Sequence, residues 1–282
     1  MKHLALALLC LLSLTSCSES EDAPQQPATK GKKLLTIGDS LTACCEWQPW
    51  LVEWFGFTWS QSETINGLDG HAPMAVGGTW VKPNYTNSIY IRSLDAKYYD
   101  PDIIFLYVAS NDPIDYWVSE TNTGTTYDEI VAAEPAYHGL TTDRSVSTLS
   151  AYKGIVEHLR EDCPDASIYL IGIMPARCEI GMNPTGEFAA MYPSPRFPDM
   201  EAVKEFEANE RWPKHEFVRA IAKRYGLPFI SLWEMSGITD ENAAEYYGDV
   251  AGDCTQVHPN DKGNRRVAEC IRDFLLDEAQ AQ

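Results

Sequence analysis

Six apolar or aromatic residues run unbroken from Ile103 to Val108, directly after Pro101-Asp102. So short a run, bounded by a turn pair, predicts a central strand buried on both faces. Further apolar stretches at 33–37, 167–173 and 227–232 predict three more strands, and 74–76 a short one ending at Gly77-Gly78. Between them the period changes. Trp47, Trp50, Leu51 and Trp54 recur at helical spacing, so 47–57 reads as a helix. The stretches 145–160 and 201–225 read as helices too, with Pro213 expected to break or kink the second. A last helix over 260–276 carries Val267, Cys270, Ile271, Phe274 and Leu275 as one apolar stripe. Strands alternating with helices predict an α/β domain whose parallel sheet is covered on both faces.

Two stretches break the alternation, 113–143 and 176–200. Both follow the ends of predicted strands, where open α/β sheets bind ligands, so both are candidate walls of a cleft. The alternative is a pair of loose loops.

The N-terminus follows another pattern. Lys2 and His3 precede an apolar run over 4–14, the layout of a signal peptide and too short for a permanent membrane span. Leu14-Thr15-Ser16-Cys17 resembles a bacterial lipobox, which would leave a lipid on Cys17 after removal of 1–16. The polar stretch 17–32 reads as a flexible tether and 33–282 as one domain. The acidic run Ser18-Glu19-Ser20-Glu21-Asp22 resembles tags that send lipoproteins to the outer cell surface. The expectation is an exported bacterial lipoprotein, at the outer membrane or cell surface, touching the membrane only through its lipid.

Charge narrows the partners. With 41 acidic and 22 basic residues the chain carries a formal net charge of −19, which repels nucleic acid and anionic membrane faces. A small, weakly charged substrate suits it better. Six cysteines remain beyond Cys10 and Cys17: Cys44, Cys45, Cys163, Cys178, Cys254 and Cys270. An exported chain permits disulfides among them, and a bridge from Cys44 or Cys45 to Cys254 is weighed against buried thiols. No Cys-x-x-Cys pair or histidine spacing suggests a metal, and no organic cofactor is implied.

Ser40 follows a strand and Gly38, just before a predicted helix, so it stands at the carboxyl edge of the sheet near backbone N–H groups. Alone it reads as a helix cap. His258, in Val257-His258-Pro259-Asn260, precedes the last helix, which Asn260 can cap. Gly77-Gly78 and Asn111 supply candidate donors for a tetrahedral oxyanion.

Four segments, in order, resemble the blocks of SGNH/GDSL hydrolases: Ile37-Gly38-Asp39-Ser40-Leu41, Ala75-Val76-Gly77-Gly78-Thr79, Val108-Ala109-Ser110-Asn111-Asp112 and Val257-His258-Pro259-Asn260. The resemblance spans about 33 to 276. It implies a three-layer α/β/α sandwich with a flavodoxin-like parallel sheet of about five strands. It implies Ser40 as nucleophile, His258 as base, and Gly78 and Asn111 as oxyanion donors. Two positions depart from the family. Ala109 stands where a glycine is usual, a change expected to be harmless. Thr255 stands where the orienting Asp is usual. Asp253 then reaches His258, or a backbone carbonyl holds the imidazole in a Ser-His dyad, or the site is impaired.

The expected activity is hydrolysis of small acyl esters, acetyl foremost, on carbohydrate. A glycan-binding lipoprotein with a decayed site and a lipase or thioesterase are the alternatives. The last needs a long apolar groove, whereas Thr121 to Thr126 are almost all Thr or Asn. Trp80 and Trp117, each following an oxyanion block, are the cleft aromatics. Trp47, Trp50, Trp54 and Trp59 fit core packing better than glycan stacking. Arg177 is a candidate contact for a substrate carboxylate.

Overall fold

The structure, a computed structural model, describes residues 29–59, 62–175, 200–239, 242–247 and 258–281. Strand β1 (Leu34–Gly38) leads into a single turn of helix α1 (Ser40–Ala43) and then α2 (Gln48–Phe55). Helix α3 (Ile89–Ser93) precedes β2 (Ile103–Tyr107). Helices α4 (Tyr127–Ala133) and α5 (Thr148–Asp162) lead to β3 (Ser167–Ile171). Helices α6 (Met200–Phe206) and α7 (Trp212–Tyr225) precede β4 (Phe229–Ile230), α8 (Leu232–Met235), α9 (Ala243–Tyr246) and α10 (Asp261–Ala281).

Among the described residues the sheet has four parallel strands in the order β1-β2-β3-β4, rather than about five. The expected strand at 74–76 is reduced to one parallel bridge, Gly38 with Ala75, on the free edge of β1. Gly77-Gly78 follows at once, and the chain turns away before a ladder forms. That bridge still fixes the topology. The chain leaves β1, touches one side of it at Ala75, then crosses to β2 on the other side. The carboxyl end of β1 is therefore the point where the strand order reverses, the place where open α/β sheets bind ligands.

Every residue of β1 and β2 is buried, as a sheet covered on both faces requires. Leu35, Ile37, Ile104 and Leu106 pack under α3, α5 and α7. Leu34, Ile103, Phe105 and Tyr107 pack under α2 and α10. Val267, Cys270, Ile271 and Leu275 of the expected α10 stripe are buried there. Cys163 and Cys270 are buried free thiols, while Cys178 and Cys254 lie outside the described residues. Trp47 is fully buried and Trp50, Trp54 and Trp59 pack against the same layer, so core packing holds over glycan stacking. Arg265 and Arg272 of α10 lie 5.1 and 5.0 Å over the rings of Trp50 and Trp54.

Pro213 does not break the helix. It sits in the first turn of α7, where a missing N–H costs little, and the preceding turn, Glu207–Arg211, relaxes to π-helical geometry. The polar stretch after β2 is folded rather than loose. Thr126 and Glu129 form a reciprocal capping box on α4. Beyond it, the buried Glu134 accepts hydrogen bonds from Ser119 N (3.2 Å), Ser119 Oγ (2.9 Å), Asn122 Nδ2 (2.7 Å) and Ser147 Oγ. Lys153 Nζ, also buried, donates to the carbonyls of Val131 and Glu134.

Candidate active site

Ser40 is the first residue of α1 because Asp39 caps that turn: Asp39 Oδ1 accepts the Leu41 N–H at 3.0 Å. Gly38 makes the turn possible. A Cβ there would stand 2.0 Å from Thr42 Oγ1 and 2.6 Å from the Tyr107 carbonyl, so any other residue would push β1 from β2. Asp39 is fully buried, and its second oxygen accepts the Ser110 N–H at 3.3 Å, tying the serine turn to the loop after β2. Burial pushes this carboxyl up to about 6, against the two N–H bonds that favour its charge. His258 acts on it too, in the lowering direction, so residues 219 positions apart in the chain are brought to one edge of the sheet.

The glycine block closes on the serine from the edge of β1. A methyl group on Gly77 would stand 3.6 Å from Ser40 Cβ and 3.8 Å from Cys44 Sγ. Gly78 has φ +70 and open space around its Cα, so its need for glycine is conformational. From the third block, Asn111 Nδ2 donates to the Thr79 carbonyl at 3.2 Å. An amide nitrogen carries two hydrogens, so this bond fixes the amide plane and leaves the second N–H to a ligand. The buried Asp112 strengthens the seam, accepting from Val81 N (2.9 Å), Lys82 N (3.2 Å) and Thr148 Oγ1 (3.0 Å). His258, half-buried, precedes α10, and Pro259 bridges to Tyr247. Asn260 does act as the cap, accepting the Gly263 N–H at 3.0 Å.

Three features depart from the sequence reading. Ala109 adopts φ +81 at zero exposure, so the alanine in the glycine position is strained rather than harmless. Trp117 is not a cleft residue: it is fully buried, stacked on Phe217 at 5.3 Å with its indole N–H bonded to the Asp112 carbonyl. Of the pair, Trp80 alone is partly open. The third is a residue the sequence did not single out. Arg92 on α3 is 1% exposed and donates to the Gly38 carbonyl (3.2 Å), Thr79 Oγ1 (2.9 Å), and the Pro73 (2.8 Å) and Asn87 (3.2 Å) carbonyls. It joins the serine turn to the glycine block from beneath. The one local clue is a cation set among the apolar residues of Ile89-Tyr90-Ile91-Arg92. Asp253, Thr255, Arg177 and Cys17 lie outside the described residues.

The GDSL-like Lipase/Acylhydrolase family matches residues 36–266. No curated protein matches the sequence. Among solved structures, a protein from Lactobacillus plantarum is 16% identical with a TM-score of 0.52, over 88% of this chain and 98% of that one. A GDSL-like lipase candidate from Parabacteroides merdae is 15% identical (TM-score 0.48, 89% and 98% covered). A family 3 carbohydrate esterase from Clostridium thermocellum is 14% identical (TM-score 0.46, 89% and 98% covered). At such identities a structural likeness speaks for the fold alone.

Proposed function

Since the chain belongs to the GDSL-like lipase/acylhydrolase family and is an ester hydrolase, we propose that it removes small acyl groups, acetyl foremost, from carbohydrate through an acyl-Ser40 intermediate. His258 takes the Ser40 Oγ proton as Oγ attacks the ester carbonyl carbon. The charge that develops on the carbonyl oxygen is held by the N–H groups of Ser40 and Gly78 and by Asn111 Nδ2. Collapse expels the alcohol, which takes the proton from His258. Water, deprotonated in turn by His258, then attacks the acyl carbon; the acyl–Oγ bond breaks, Ser40 Oγ takes the proton back from His258, and the carboxylic acid leaves.

The observation that carries this reading is the convergence at the end of β1. Asp39 ties the Ser40 turn to the third block and lies within electrostatic reach of His258, while Asn111 is bonded to the glycine block. Short acyl groups suit the polar Thr121 to Thr126 stretch, and a neutral carbohydrate suits a chain of net charge −19.

The test is hydrolysis of p-nitrophenyl acetate by the purified protein and its variants. Ser40→Ala is expected to lose at least about 10³-fold in kcat, and Asn111→Ala about 10²–10³-fold. Wild-type turnover no faster than that of Ser40→Ala would overturn the reading. Asp253→Asn decides what orients His258. A loss of about 10²-fold or more marks a carboxylate triad, and unchanged turnover marks a Ser-His dyad held by a carbonyl.

A further inference from the structure

The two loops that carry the oxyanion donors each go on to supply an aromatic ring, and the rings meet. Trp80 lies two residues after Gly78, and Tyr116 five after Asn111. Their centroids are 5.8 Å apart with planes inclined by 32°. Tyr116 is 47% exposed and Trp80 partly so. Large apolar side chains exposed among the described residues number three, Tyr98, Tyr116 and Leu140, and Tyr116 alone stands on an oxyanion loop.

The pair is held rigidly. The Trp80 N–H donates to Tyr85 Oη at 2.6 Å, and its carbonyl accepts the Ile89 N–H at 2.8 Å. The Asn111 amide holds the carbonyl of the residue before Trp80, and the Asp112 carboxylate holds the N–H groups of the two residues after it. On the other loop, the Ile114 N–H donates to Glu210 Oε2 at 3.2 Å, and Lys82 Nζ stands 4.8 Å over the Tyr116 ring. The position of both rings relative to Gly78 and Asn111 is thus set by the bonds that build the oxyanion hole. A pre-ordered aromatic surface needs little side-chain entropy to bind an apolar face.

Resting on the esterase reading above, we infer that Trp80 and Tyr116 form a platform for the sugar ring of the ester's alcohol half. The axial C–H face of a pyranose is apolar and matches an aromatic face, while its hydroxyl rim stays in water. The platform adds nothing to an ester whose alcohol has no ring, so it acts as a specificity determinant. A neutral pyranose fits better than an acidic one, because Lys82, the cation over Tyr116, is already under the attraction of Asp112 and Asp143.

The test compares kcat/KM for methyl tetra-O-acetylglucopyranoside with that for ethyl acetate, followed by acid release, in the mature protein. Tyr116→Ala and Tyr116→Leu are expected to lower the ratio of sugar ester to ethyl acetate about tenfold, the size of one aromatic stacking contact, and Tyr116→Phe to restore it. A ratio unmoved in Tyr116→Ala, or lowered as far in Tyr116→Phe, overturns the platform while leaving the esterase in place. Wild-type protein inactive on ethyl acetate and sugar ester alike overturns the esterase reading and the platform with it.

Discussion

At the scale of single residues, Asp39 does more than its neighbour Ser40 reveals. Its carboxylate is fully buried yet caps α1 and holds the loop after β2, so its ionised form is wanted by two N–H groups and opposed by burial. Burial wins, and the folded value rises to about 6 from the usual 3.8. A carboxyl whose value is raised on folding stabilises the native state fully below the unfolded value, and that contribution is lost as pH rises through the folded one. Stability measured against the Asp39→Asn variant is therefore expected to fall by up to about 3 kcal/mol between about pH 4 and pH 7, and to be flat above that. Denaturant midpoints of both proteins across this range check it, and a difference that does not change with pH would refute the assignment. Gly77-Gly78, Asn111 and His258 were legible because their residue types and order are tied to a reaction. Arg92 was not, because a buried guanidinium is recognised by the carbonyls around it, which lie 5 to 54 residues away in the chain.

At the scale of elements, β1, β2, β3 and the helices α2, α5, α7 and α10 all follow from local pattern. Runs of buried apolar residues of strand length and 3.6-residue stripes are written in consecutive positions. What ends the elements is less legible. Strand β2 stops where Ala109 turns to φ +81, a conformation that costs an L-residue about 1–2 kcal/mol and that glycine adopts freely. Ala109→Gly is expected to raise stability by up to about 1 kcal/mol, after the extra chain entropy of glycine is subtracted. A shift of the urea midpoint at constant slope would show it. A destabilised variant would mean that the methyl group's packing outweighs the strain. The short strand at 74–76 shrank to the Gly38–Ala75 bridge for a similar reason. Its β propensity is local, but pairing length depends on how far β1 and the glycine turn run side by side.

At the scale of the whole molecule, the topology brings the first described strand and the start of the last helix together, so the nucleophile block and the histidine block share one sheet edge. We propose export with a lipid anchor, because Lys2, His3 and the apolar run 4–14 lead into the lipobox-like Leu14-Thr15-Ser16-Cys17. On this proposal, wild-type protein made in a lipoprotein-processing bacterium takes up labelled palmitate and partitions with membranes, and Cys17→Ala does neither. Unlabelled wild-type protein would remove the anchor. The sequence by itself determined the α/β class, most of the elements and the four blocks, because periodicity and residue chemistry are local properties. Only the tertiary structure decided which residues of those blocks touch. It placed Trp117 in the core and Trp80 against Tyr116, although both tryptophans follow an oxyanion block. Burial and contact depend on which distant segments pack over a side chain, and a chain read one residue after another does not carry that distance.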